Sequence, residues 1–104
     1  MQGFLIVFCT CASEEQADRL ARSVVEKRLA ACANILPPIQ SVYWWQGQIE
    51  VAPERLLLFK TTEDRFTELR DAVIEMHSYA VPEIIAVPIT AGSDPYLAWI
   101  RENV

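Results

Sequence analysis

Residues 41–50 read Ser-Val-Tyr-Trp-Trp-Gln-Gly-Gln-Ile-Glu, and the chain continues through Pro53 into Arg-Leu-Leu-Leu-Phe-Lys-Thr-Thr at 55–62. This stretch predicts one long aromatic β-hairpin bending at Gly47. Arms from Ile39 to Thr61 would each reach roughly 33 Å at 3.3 Å per residue, whereas a compact chain of this length has a radius of gyration of only about 13 Å. Such a hairpin overhangs its own domain. Alternation sets Ser41, Tyr43 and Trp45 on one face and Val42 and Trp44 on the other, so rings lie on both faces and neither can be left to water without an apolar patch. The expected cover is another copy of the chain, with Tyr43, Trp44 and Trp45 as interface anchors.

Size and charge narrow the function classes. At 104 residues the chain is expected to form a single domain, 1–104, whose small core leaves a reason to associate. Nine Lys and Arg stand against 14 Asp and Glu, a formal net charge of -5. With no basic run, nucleic acid is not an expected partner. The apolar start, Phe4 to Phe8, has no basic residue before it and is strand-length, so neither a signal peptide nor a membrane span is predicted. Cys9, Cys11 and Cys32 are odd in number and lack C-x-x-C spacing. Free thiols, a reducing compartment and a cytoplasmic location are expected.

Phe4–Cys9 is apolar on both faces, as a central strand would be. Ser13 followed by Glu14-Glu15-Gln16 is a capping signal, and Ala17, Leu20, Ala21, Val24 and Val25 form the apolar stripe of a helix of about four turns. Residues 31–36 begin a second strand, which Pro37-Pro38 interrupts before pairing resumes at Ile39. Thr61-Thr62-Glu63-Asp64 predicts a second helix start, with Phe66, Leu69, Val73 and Met76 on its core face and His77 at its end. Ile84–Ile89 is the last strand, in which Pro88 predicts an edge or an unpaired position, and Asp94-Pro95 predicts the N-cap and first turn of a short final helix. The order βαββαβ plus a short helix predicts an α+β, ferredoxin-like split βαβ sandwich. Its strand order, 4-1-3-2, leaves one sheet face bare and brings Cys9, Thr10 and Cys11 near 77–83.

The chain resembles the CutA family, the divalent-cation-tolerance proteins, from Phe4 to Ile100. The resemblance rests on Val7-Phe-Cys-Thr10, Leu29-Ala-Ala-Cys-Ala-Asn-Ile35, Ser41–Glu50, Lys60-Thr61, His77-Ser-Tyr-Ala-Val-Pro-Glu83, and Gly92 followed by Tyr96–Ile100. It implies a PII-like homotrimer with a role in metal tolerance, and copper binding at Cys9, Met76 and His77. Ser78 and Ala80 depart from the family's His-Pro-Tyr-Glu-Val-Pro-Glu. With Met76, the donor set is a thiolate, a thioether and an imidazole, which prefers Cu(I) to a hard cation.

Each of these residues also has a plain structural role. Cys9 packs as a small hydrophobe, Met76 fills the core, and His77 complements a helix C-terminus. Lys60, Tyr79 and Glu83 are candidates for a cleft between subunits, with a solvated salt bridge as the alternative. No phosphate loop, G-x-S-x-G or H-E-x-x-H is present, so no catalytic residue is assigned. The alternatives to a metal-binding trimer are a signalling adaptor holding a small ligand between subunits and a small isomerase-like or hydrolase-like enzyme using His77 and Tyr79.

Overall fold

The computed structural model describes residues 3–104. Strands β1 (Phe4–Cys11), β2 (Cys32–Ile35), β3 (Ile39–Trp45), β4 (Gln48–Thr62) and β5 (Ile84–Pro88) alternate with helices α1 (Glu14–Glu26), α2 (Phe66–Met76) and α3 (Asp94–Glu102). The sheet order is β2-β4-β1-β5, with β3 paired to the outer half of β4, and every pairing is antiparallel. This is the ferredoxin-like sandwich, its second strand split by Pro37-Pro38 into β2 and β3. Pro88 lies in β5, which pairs only with β1, so its missing N–H faces an open edge.

The core follows the alternation of the strands. Val7, Cys9 and Cys11 of β1 and Leu57 and Phe59 of β4 are fully buried against Leu20 and Val24 of α1 and Leu69 and Val73 of α2. Phe66 and Met76 pack at its margin, completing the stripe expected of α2. Ser13 caps α1 by accepting the Gln16 N–H at 3.1 Å.

Two expected caps lie elsewhere. β4 runs on through Thr62, so the Thr61 side chain turns inward and its hydroxyl donates to the Leu29 carbonyl at 2.7 Å. A 3-10 turn, Glu63–Arg65, then leads into α2 without a side-chain cap. At α3 the cap is Ser93, whose oxygen accepts the Tyr96 N–H at 3.4 Å, and Asp94 and Pro95 occupy the first turn.

The second sheet face is not wholly bare. Phe4, Ile6 and Phe8 alternate with the core residues of β1 and therefore face away from α1 and α2. The Arg101 guanidinium sits 4.8 Å over the Phe4 ring, and Ile100 is fully buried. α3 thus covers one end of this face, while Ile85 and Val87 of β5 remain exposed.

The hairpin overhangs as its length requires, giving the chain extents of 44 × 25 × 23 Å. Its turn is Gln46-Gly47, with φ of 50° and 78°, the doubly left-handed geometry that matches strand twist in a two-residue loop. Val42 opposes Val51 and Trp44 opposes Ile49, forming one apolar face; Tyr43 and Trp45 oppose Glu50 and Gln48 on the other. Trp44 is 71% exposed, Val42 62% and Ile49 58%.

Candidate functional site

β1 carries Cys9 to the end of the sheet at which α2 finishes. The antiparallel register places Cys9 beside Ile84 of β5 and Leu57 of β4. At His77 the backbone has left the helix for an extended conformation, φ -74° and ψ 143°. Met76 and His77 are therefore not held in the divergent directions of successive helical residues. Met76 stays half-buried against the core.

One carbonyl joins Cys9 to His77. Thr10 O accepts the Cys9 thiol at 3.7 Å and is 2.8 Å from His77 Nε2. Sulfur and Nε2 therefore lie within about 6.5 Å of each other, the sum of those two distances. On the other side of the ring, Nδ1 accepts the Tyr79 backbone N–H at 3.0 Å. An amide N–H can only donate and a carbonyl can only accept, so the ring is neutral with its hydrogen on Nε2.

The loop after His77 is held at two further points. The Ser78 hydroxyl donates to Gln16 Oε1 at 3.2 Å, tying the loop to α1. The Tyr79 ring leans on His77, with centroids 4.7 Å apart, and its hydroxyl donates to Glu54 Oε2 at 2.7 Å. Glu54 is 9% exposed and pairs across the base of the hairpin with Ile39.

Burial dominates the electrostatics. The Cys9 thiol is pushed up to about 12 by desolvation first, then by the charges of Cys11, Glu83 and Glu54. Desolvation also raises Cys11. Tyr79 is raised by desolvation and by its bond to Glu54. The Cys9 thiol is thus protonated at neutral pH in the absence of a metal.

Among the described residues, no group of three or more His, Cys, Asp and Glu side chains converges as a metal cage. Cys9 and His77 are brought together, Met76 adjoins His77 in the chain, and Glu83 lies near enough to Cys9 for its charge to act. Lys60 is not part of this group. It lies six residues along β4 from Glu54, roughly 20 Å at 3.3 Å per residue, and its ammonium donates to Asn34 Oδ1. A cleft uniting Lys60 with Tyr79 and Glu83 would need a second chain. Within one chain, a groove of about 560 Å³ lies instead between α1 and β2, lined by Glu14, Glu15, Asp18 and Ile35 among others. Gln16 is visible in the sequence only as part of the capping signal of α1, and Glu54 has no signal beyond being a polar residue next to Pro53.

The sequence pattern of the family described as "CutA1 divalent ion tolerance protein" matches residues 5–103. The chain belongs to this family. The divalent-cation tolerance protein CutA of Thermus thermophilus is 49% identical over 98 residues, which are 94% of this chain and 95% of that one. Human protein CutA is 47% identical over 95 residues, 91% of this chain and 53% of the longer human protein. The solved T. thermophilus CutA1 structure superposes with a TM-score of 0.94 at 48% identity, covering 96% of this chain and 97% of that one. Rice CutA1 gives 0.95 at 42%, covering 97% and 93%. The two solved relatives thus share the fold over nearly the whole of this chain.

Proposed function

We propose that this CutA chain works as a homotrimer that takes up a soft cation, Cu(I) in preference, at Cys9 and His77, with Met76 or an outside donor completing the set. The observation that carries the reading is the Thr10 carbonyl, shared by the Cys9 thiol and the His77 ring at 3.7 and 2.8 Å. It holds a sulfur and an imidazole on one oxygen, at one end of the sheet.

The donor types fit a soft cation better than a hard one. With the thiol pushed from 9.0 to about 12, removing its proton costs about 4 kcal/mol more than at an ordinary cysteine, at 1.36 kcal/mol per unit. Only a metal with strong affinity for thiolate offsets that cost, which disfavours hard divalent ions held through oxygen. Once bound, the metal would supply a coordination bond in place of the thiol proton. The residues supply the rest: β1 fixes Cys9, the Thr10 carbonyl orients the ring, and the core excludes water from the sulfur.

Self-association is supported by the exposed hairpin face of Val42, Trp44, Ile49 and Val51, together with exposed Ile85 and Val87, and a trimer is the form that the family resemblance implies. Three cysteines outside any disulfide favour a reducing, cytoplasmic setting. A binding role rather than catalysis is supported by the relatives, which are named as divalent-cation tolerance proteins.

Titration with Cu(I) in competition with a bicinchoninate buffer tests the reading. The parent should bind one equivalent per chain, and Cys9→Ser and His77→Ala should each weaken binding at least tenfold while sedimenting like the parent. Parent-like binding by both variants would remove Cys9 and His77 from the site.

A further inference from the structure

A neutral imidazole has one hydrogen and one available lone pair, and in His77 both are committed. Nε2–H is given to the Thr10 carbonyl, and the Nδ1 lone pair is held by the Tyr79 amide. Two ligating forms of the ring exist. If Nδ1 binds a cation directly, its lone pair is no longer there for Tyr79. If Nε2 binds, the ring hydrogen moves to Nδ1, which then presents N–H against the N–H of Tyr79. Both forms break the same bond.

Tyr79 is not free to yield. Its ring leans on His77 at 4.7 Å, its hydroxyl is anchored 2.7 Å from Glu54 Oε2, and the preceding Ser78 is tied to Gln16. Glu54 as a residue is nine-tenths buried at the base of the β3–β4 hairpin. A charge-assisted bond at such a site is stronger than one at the surface.

We propose that Tyr79, anchored by Glu54, is a latch on His77 that sets the affinity of the Cys9–His77 site and must open whenever the ring serves as a ligand. The inference rests on the soft-cation reading of that site, and it makes Tyr79 and Glu54 positioning residues. The latch also gives cation uptake a structural readout. Release of the Tyr79 amide loosens the bond to Glu54, at the junction from which the overhanging hairpin projects.

The latch makes an unusual demand: weakening a residue beside the site should tighten cation binding. NMR of the full ¹⁵N-labelled protein, together with Cu(I) competition titration of the parent, Tyr79→Phe and Glu54→Gln, tests it. Tyr79→Phe deletes the hydroxyl anchor but keeps the amide, whereas Glu54→Gln keeps an acceptor for it. In the metal-free parent, His77 should be the Nε2–H tautomer with a protected Tyr79 amide. Saturation with Cu(I) should abolish that protection.

Tyr79→Phe should exchange its residue-79 amide several-fold faster without metal and bind Cu(I) about fivefold more tightly, the equivalent of one ordinary hydrogen bond. Glu54→Gln should lie between the two. An Nδ1–H tautomer in the metal-free parent would overturn the latch, as would an unchanged Tyr79 amide at Cu(I) saturation or parent-like affinity in Tyr79→Phe. Those results, with copper still bound, leave the soft-cation site standing. Uptake by Tyr79→Phe but not by the parent supports the latch; uptake by neither overturns both.

Discussion

Replacing Trp44 by Glu should dissociate the assembly while leaving the subunit folded. Trp44 is 71% exposed in the isolated chain, so it contributes little to the subunit's own core. Of the roughly 250 Å² that a tryptophan can bury, about 180 Å² is therefore available to a neighbour. At about 25 cal/mol per Å², full cover of that area is worth about 4 kcal/mol per subunit, or a factor of about a thousand in an association constant. A glutamate would add the cost of an unpaired charge facing Val42, Ile49 and Val51. Sedimentation equilibrium across two decades of concentration gives the constants, and far-UV circular dichroism checks that the subunit keeps its fold. The parent should be trimeric at micromolar concentration, with the variant shifted strongly toward monomer. Identical association constants would show that the aromatic hairpin does not cover itself with a second copy, and the interface argument would fail.

Alkali should destabilise the fold through Cys9, whose thiol is raised from 9.0 to about 12. Because the unfolded thiol ionises first, its stabilisation is complete below pH 9 and is lost as pH rises through 12, at up to about 1.4 kcal/mol per pH unit. Urea unfolding should show this decline, Cys9→Ala should flatten it, and a parent profile level from pH 9 to 11 would contradict it. Phe59→Ala empties a fully buried position of β4 and should cost about 3–5 kcal/mol; a loss below 1 kcal/mol by chemical denaturation would mean that the core is elsewhere. Gly47→Ala meets no atom within 4 Å but forces a side chain at φ of +78°, so it should cost only about 1–2 kcal/mol of backbone strain. A larger loss would show that the hairpin tip is packed against a neighbour.

The strands and the two main helices were legible because their signals are local and periodic. The two-sided apolarity of Phe4–Cys9 marks a central strand, the stripe Ala17–Val25 marks α1, and the element order brings His77 to the end of β1. Caps were less legible where a strand competes with a helix for the same threonine. Thr61 and Thr62 read as a helix start, but β4 extends through both, and Thr61 finds the Leu29 carbonyl instead. Ser93 and Asp94 are both good capping residues, and one position decides between them. The sheet face that the strand order leaves bare is partly covered by α3, through Ile100 and Arg101.

In the site, the approach of Cys9 to His77 follows from topology, but the bonds that define the ring do not. Tyr79 to Glu54 and Ser78 to Gln16 join residues 25 and 62 positions apart. They depend on the course of the short loop after α2, where no periodicity constrains the backbone. The tautomer of His77 is a further step removed, since it is set by which backbone groups meet each nitrogen.

Native mass spectrometry of the purified protein after Cu(I) loading under reducing conditions tests the central claim directly, because one spectrum counts both chains and metal ions. The account predicts an assembly of about three times the 11.8 kDa chain carrying one copper per chain, with the copper but not the assembly lost in Cys9→Ser. A particle of a single chain, or a trimer that holds no copper, would contradict it.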